Sequence, residues 1–296
     1  LLKRLIPGVL KRRLDTLQGR LLVGLVASWL AIIGLLLGVA WGIGQTLVRD
    51  ANLSHLGYQA EMLSQGLQDR LVQRFTRLAH FADQLAEGTP AEITQRLESN
   101  RSLLADFEGV VIIDADGVVI ADLPEVPGRV GLETAAREYF PMVQHSPWPY
   151  VSRPFTGRAS LQPQVLMLVP RFTVDGEFDG MVGGLLNLAH GQFFRSIASL
   201  TFHHHGHVAI FRAEGEPVFV PYSLAGHVET LQRLNPQSFQ LALDGWQGEP
   251  RHELDGENML VAYRQVWEAD WVVALMMPRR SVMAPLHAFL ERLWWT

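Results

Sequence analysis

The run from Leu21 to Gly44 constrains this chain most: 24 residues without a charge, with Ser28 the only polar side chain. As a helix rising about 1.5 Å per residue it is about 36 Å long, against about 30 Å of hydrocarbon in a bilayer. A helix buried in a soluble core normally keeps a polar stripe, and nothing in this segment can form one. Glycines at 24, 34, 38, 42 and 44 would weaken a soluble helix but are tolerated in a membrane. The run is read as a transmembrane helix.

Its flanks orient it. Lys3, Arg4, Lys11, Arg12, Arg13 and Arg20 precede it, offset only by Asp15, whereas mixed charge follows Arg49 and Asp50. The positive-inside rule leaves residues 1–20 as a cytoplasmic basic leader and sends the chain from Val48 onward across the membrane. A cleaved signal peptide would need a shorter apolar core and a small-residue cleavage site, and Ile43-Gly44-Gln45 is a poor one. An uncleaved anchor, with lipid around residues 21–44, fits better.

About 250 residues remain outside the anchor, enough for one large domain or two small ones. The net charge is −5, and the basic excess sits in the leader, which argues against nucleic acid as a partner of the exterior. The absence of cysteine excludes a disulfide framework, a thiol nucleophile and cysteine-based metal sites. A start at Leu1 and a stop at Leu-Trp-Trp-Thr suit a piece of a longer protein.

Past the anchor, Leu53, Leu56, Met62, Leu63, Leu67, Leu71, Phe75, Leu78, Phe81 and Leu85 recur at threes and fours, the spacing of one helix face. The pattern predicts a stalk-like helix to about Ala86, closed by Gly88 and Pro90, and a second helix from Pro90 to Ala105. The apolar stripe between Gln45 and Ala86 exceeds what one sheet face covers, so this helix is also the expected homodimer surface. The period then changes. Two apolar strands flank a turn at Ala115-Asp116-Gly117, and a second strand pair runs Val165 to Thr173 and Met181 to Leu188 around Asp175-Gly176.

A short helix, His190 to Leu200, leads into a weaker repeat of this order. His207 to Arg212 and Pro217 to Val220 form a hairpin, Ser223 to Leu234 is helical, and Phe239 to Asp244 is ambiguous. Asn258 to Val266 and Trp271 to Met277 are the final strand pair. Arg279 to Trp295 is amphipathic, and Trp294-Trp295 suits an interface before a second crossing. Hairpin-ordered strands with helices on one face make an α+β exterior with antiparallel sheets.

Four stretches carry a resemblance: VVIIDADGVVIAD (110–122), REYF (137–140), YVSRPFTGRASLQPQVLMLVPRF (150–172) and DGEFDGMVGGLLNL (175–188). In this layout they resemble the double Cache sensor domain of bacterial chemoreceptors, sensor histidine kinases and membrane diguanylate cyclases, over about residues 45–290. The form of the pocket region looks most like that of diguanylate cyclases. The resemblance implies two PAS-like sheet units in tandem. These are a membrane-distal unit at 106–200 and a membrane-proximal unit at 201–278, after stalk and second helix at 45–105 and before a returning helix at 279–296. It also implies a bacterial inner membrane with a periplasmic sensor.

The family binds small solutes in the distal unit through aromatics and an arginine of the REYF-type element, which places ligand contacts on Arg137, Tyr139 and Phe140. A guanidinium can hold a carboxylate by two parallel hydrogen bonds, and Arg153 and Arg158 in the following Pro- and Gly-bounded loop could add to it. The alternative is that Arg137 pairs with a carboxylate such as Glu133 and that the rings are core. Amino-acid-binding members usually carry an aspartate near Asn187. An amide cannot neutralise an ammonium, so a carboxylate or other anion is the expected ligand, with Asn187 either touching it or ending a strand.

Consecutive histidines at 203, 204 and 205, with His207, cannot all face one ion on regular structure and read as a solvated loop. The acidic pairs Asp114/Asp116 and Asp175/Asp179 lack calcium-loop spacing and read as turns. No Gly-x-Ser-x-Gly, Walker loop or dinucleotide fingerprint occurs. The expectation is therefore a non-enzymatic solute sensor, without cofactor or metal, signalling to a diguanylate cyclase. A histidine kinase or chemoreceptor sensor, or a ligand-free dimerisation module, are the alternatives.

Overall fold

The computed structural model describes residues 17–85, 88–198, 206–221, 224, 251–254 and 257–278. The leader up to residue 16, His203 to His205, most of the helix expected at 223–234, the segment 239–244 and the helix expected at 279–295 lie outside these residues. Contacts divide the chain into two compact units, one of Leu1–Asn52 with Leu286–Thr296 and one of Leu53–Pro285.

Helix α1 runs Leu17–Gln84 and carries both the apolar run and the stalk-like helix expected after it. No proline falls between residues 17 and 84 to break it. Within the first unit, its stretch Gly24–Gly44 is long and apolar enough to cross a membrane and is not buried.

In the second unit the stripe of α1 is buried at Leu56, Ala60, Leu63, Leu67, Leu71, Phe75 and Leu78. Helix α2, Pro90–Ser99, starts on a capping box in which the Thr89 amide donates to Glu92 Oε2 at 2.8 Å, and Pro90 opens its first turn. It stops earlier than its apolar spacing suggests. Asn100 leaves helical geometry, its side chain donates to the Arg96 carbonyl at 2.9 Å, and a 3-10 turn, Arg101–Ala105, follows.

The first sheet is antiparallel in the order β2-β1-β6-β5-β3, with β4 also on β5. Its strands are β1 Gly109–Ile113, β2 Val119–Leu123, β3 Tyr150–Val151, β4 Phe155–Thr156, β5 Pro163–Phe172 and β6 Phe178–Asn187. Side chains alternate across a pleated sheet. Val110, Ile112, Val165, Met167, Val182 and Leu186 join the core built on α1 and α2. Val111, Ile113, Leu166, Leu168, Met181 and Leu185 join a separate cluster on the opposite face. Burial on both faces explains why these strands read as continuous apolar runs.

Glycine is required on β6 for two reasons. At Gly180, with φ +94°, a Cβ would sit 2.2 Å from the Ile113 carbonyl oxygen. At Gly184 it would sit 2.4 Å from the Phe107 ring, which occupies that space on the helix side. At the other end of the sheet, buried Arg171 pairs with Asp179 and donates to the Leu85 carbonyl at 3.3 Å, near the end of α1.

The second sheet is antiparallel in the order β8-β7-β11-β10-β9. It contains β7 His207–Arg212, β8 Pro217–Phe219, β9 Arg251–Leu254, β10 Glu257–Val266 and β11 Trp271–Pro278. Strand β9 is polar and has no apolar signature in the sequence. Helix α3, Tyr139–Gln144, lies in the segment between β2 and β3, and helix α4, Gln192–Ala198, precedes β7. The Glu108 carboxylate accepts from the Asn187 amide at 3.1 Å and the Gln192 amide at 2.9 Å, which joins the end of β6 to the first turn of α4. From α4, Phe193 and Phe194 reach Trp271 of β11 at ring-centroid distances of 6.4 and 6.0 Å. Ion pairing of Arg264 with Glu61 at 2.8 Å, and a hydrogen bond from Gln68 to Glu268 at 2.8 Å, tie the same sheet to α1.

Candidate functional site

The site is built on the face of the first sheet that α1 and α2 leave free. Its floor is apolar: Val111 and Ile113 of β1, Val119 of β2, Leu166 of β5 and Leu185 of β6. The irregular stretch between β2 and β5 folds back over this floor and supplies its walls.

The first part of that stretch is pinned by backbone hydrogen bonds. The Asp114 carboxylate closes the β1–β2 turn by accepting from the amides of Asp116 and Val118 at 3.1 and 2.8 Å. This is the work expected of Asp in a hairpin turn. The segment then lies beside β2: Gly131 donates to the Val119 carbonyl, Val119 to that of Leu132, and Thr134 to that of Gly117. The Thr134 hydroxyl also donates to Gly117, at 2.7 Å. The Arg137 amide donates to the Thr134 carbonyl at 2.8 Å, and the Phe140 amide to the Arg137 carbonyl at 3.0 Å, which launches α3.

This places Arg137 and Tyr139 on the wall of a cavity of about 60 Å³, together with Arg129, Thr134, Phe155, Arg158, Ser160 and Gln164. The Arg137 guanidinium lies 5.2 Å from the centroid of the Phe155 ring, a cation–π contact. Tyr139 is buried, and its phenol is pushed above the usual value chiefly by desolvation. Thr134 and the charges of Arg137 and Arg158 act the other way. The hydroxyl therefore stays protonated through the neutral range and can donate to a bound anion.

Three guanidiniums line this cavity, and they differ in how they are neutralised. Arg129, mostly buried, sits 3.4 Å from the buried carboxylate of Asp122. Among the described residues, neither Arg137 nor Arg158 has a carboxylate in ion-pair range, and Arg158 makes only a long 3.5 Å contact to the Glu133 carbonyl. The alternative in which Glu133 neutralises Arg137 is thus not what the geometry contains. The remaining polar wall also presents donors. Ser160 donates to Gln164 Oε1 at 3.1 Å, and the Gln164 amide Nε2 lies against Gly157, 2.8 Å from where a Cβ would stand.

Of the residues singled out from the sequence, Arg137, Tyr139 and Arg158 meet in this cavity. The other three lie outside its lining. Phe140 points into the sheet-face cluster and packs edge-on against Phe178 at 6.0 Å. Arg153 is half exposed and pairs with Glu138 at 2.9 Å. Asn187 uses its side-chain oxygen to cap the turn after β6, accepting from the amides of Ala189 and His190 at 2.8 Å each. Arg129, Thr134, Ser160 and Gln164 were not apparent from the sequence, because the stretch that carries them has no periodicity. A Pro-, Gly- and Arg-rich segment between two core strands was the only pointer to them.

The family model described as "Cache domain" matches residues 45–286. No curated protein matches. Among solved structures, the ligand-binding domain of the Pseudomonas aeruginosa PAO1 amino acid chemoreceptor PctB, in complex with L-Arg, aligns with a TM-score of 0.67 at 18% identity. It covers 81% of this chain and 92% of that one. The ligand-binding domain of the Pseudomonas fluorescens chemoreceptor CtaA with L-isoleucine aligns at 0.65 and 18% identity, covering 81% and 97%. That of the P. aeruginosa PAO1 chemoreceptor PctC with GABA aligns at 0.59 and 22%, covering 76% and 99%. At these identities the likeness is one of fold.

Proposed function

Since the chain belongs to the Cache domain family across residues 45–286, we propose that it is the ligand-sensing, extracytoplasmic part of a membrane receptor, whose first-sheet cavity takes a small anionic solute, above all a carboxylate. The observation that carries this reading is the pair of guanidiniums, Arg137 and Arg158, that face the cavity without a carboxylate partner among the described residues. Unpaired cations beside an apolar floor favour an anion that accepts several hydrogen bonds at once.

On this reading residues 106–200 are the membrane-distal sensing unit and 201–278 the proximal one. The leader is cytoplasmic and the sensor periplasmic, anchored in the inner membrane. Ligand binding biases the position of the second sheet, and it does so only by its difference in affinity between two states. The pocket sequence supports a diguanylate cyclase as the output, and the likeness to chemoreceptor domains supports a chemoreceptor equally. A homodimer along α1 is supported by Tyr58, Met62 and Val72, which are exposed on an otherwise buried-striped helix.

Thermal unfolding of the full chain in detergent, against organic acids, amino acids, amines and nucleobases, tests the reading. A carboxylate at 100 times its dissociation constant should stabilise by about 2.7 kcal/mol, a rise of roughly 5–11 °C for a domain of this size. A well-folded sample that responds to no solute overturns the sensor reading and favours a ligand-free dimerisation module. Sedimentation of the same sample checks the dimer, which a monomer at every concentration would exclude.

A further inference from the structure

We propose that the cavity selects a small dianion without an ammonium group, a short-chain dicarboxylate, with Arg137 holding one carboxylate and Arg158 the other. The inference deepens the sensor reading above and rests on it. A monocarboxylate would neutralise one of the two guanidiniums and leave the second unpaired beside an apolar floor. A dianion neutralises both. Both guanidiniums line one small cavity, so a single small ligand can reach both. Arg129 does not compete for the ligand in the same way, because Asp122 already faces it at 3.4 Å.

The walls also offer little of what an amino acid needs. An ammonium requires acceptors, preferably a carboxylate. The Asp122 carboxylate is committed to Arg129 and to the Val126 amide at 2.8 Å. Asn187 is turned to its own turn, and Leu185, an apolar side chain, holds the β6 position that faces the cavity. Glu133 is the one acidic residue of the lining, and it is exposed. Donors dominate the rest of the polar lining: the guanidiniums of Arg129, Arg137 and Arg158, the hydroxyls of Thr134, Tyr139 and Ser160, and the Gln164 amide. A cavity of about 60 Å³ holds roughly four waters at about 15 Å³ each, a size that suits three or four carbons rather than a long side chain.

Titration calorimetry on the full chain in detergent with malonate, succinate, butyrate, L-alanine and inorganic phosphate tests this. Succinate or malonate should bind at least about 30-fold tighter than butyrate, as expected for a second charge-assisted contact. Arg158→Gln should remove most of that advantage, about 30-fold on the dicarboxylate, and change butyrate binding by less than about threefold. Arg158→Lys, which keeps the charge, should recover part of the loss. Arg158 is exposed, so neither change threatens folding. Equal binding of butyrate and succinate, or tighter binding of L-alanine or phosphate than of either dicarboxylate, overturns the dicarboxylate assignment and leaves the sensor reading standing. If no probe binds to folded protein, the dicarboxylate assignment falls, and the sensor reading is decided by the broader thermal screen.

Discussion

Replacing Arg137 by alanine is expected to weaken carboxylate binding by about 30- to 1000-fold while the protein stays folded. Truncating one partner of a hydrogen-bonded, partly desolvated charge pair costs about 2–4 kcal/mol, and each 1.4 kcal/mol is tenfold in affinity. The fold should hardly notice. The backbone bonds of residue 137, from its amide to Thr134 and from the Phe140 amide to its carbonyl, do not involve the side chain. The cation–π contact to Phe155 is the packing interaction lost, at about 0.5–1 kcal/mol for a half-exposed pair, or a few degrees in melting temperature. Calorimetry and thermal unfolding on one preparation separate the two effects. Wild-type affinity in Arg137→Ala would show that the ligand does not bind in this cavity.

The largest loss of stability is expected from Trp271→Ala. Trp271 is fully buried at the start of β11, the strand between β7 and β10, with Val266 and Arg212 as its cross-strand neighbours. Phe193 and Phe194 pack on its ring from α4, so truncation opens a cavity where α4 meets the second sheet. A large aromatic removed from a core costs about 3–5 kcal/mol, or roughly 6–20 °C here. Trp271→Phe should cost less than half as much. It keeps a ring, and it removes an indole N–H that is buried without an acceptor among the described residues. Thermal unfolding in detergent reads both variants, and a drop under about 2 °C for the alanine variant would show that this junction is not part of the cooperative core.

What could be read from the sequence was whatever repeats with a structural period. The apolar run at 21–44, the stripe from Leu56 to Leu78, and the strands around the Asp114 turn all announce themselves, because one face of a helix or both faces of a covered strand must be apolar. Arg137 and Tyr139 stood out through a family pattern. Their neighbour Phe140 looked equivalent, but adjacent residues on a helix point about 100° apart, and Phe140 turns to Phe178 while Tyr139 faces the cavity. Arg153 and Arg158 looked alike in one loop. A partner 15 positions away, Glu138, separates them, and no local rule reveals such a pairing. Asn187 sits where a strand ends, and only the three-dimensional turn shows its oxygen committed to two amides.

The two faces of the first sheet share no side chains: Val111, Leu166 and Leu185 line the cavity, while Val110, Val165 and Leu186 beside them pack on the helices. Substitutions on one face therefore leave the other face's contacts intact and should combine additively with changes there. Ligand preference can drift across generations one cavity residue at a time, without reopening the packing between the sheet and its helices. A fold divided in this way can keep a single mechanical layout while its descendants acquire different chemical tastes.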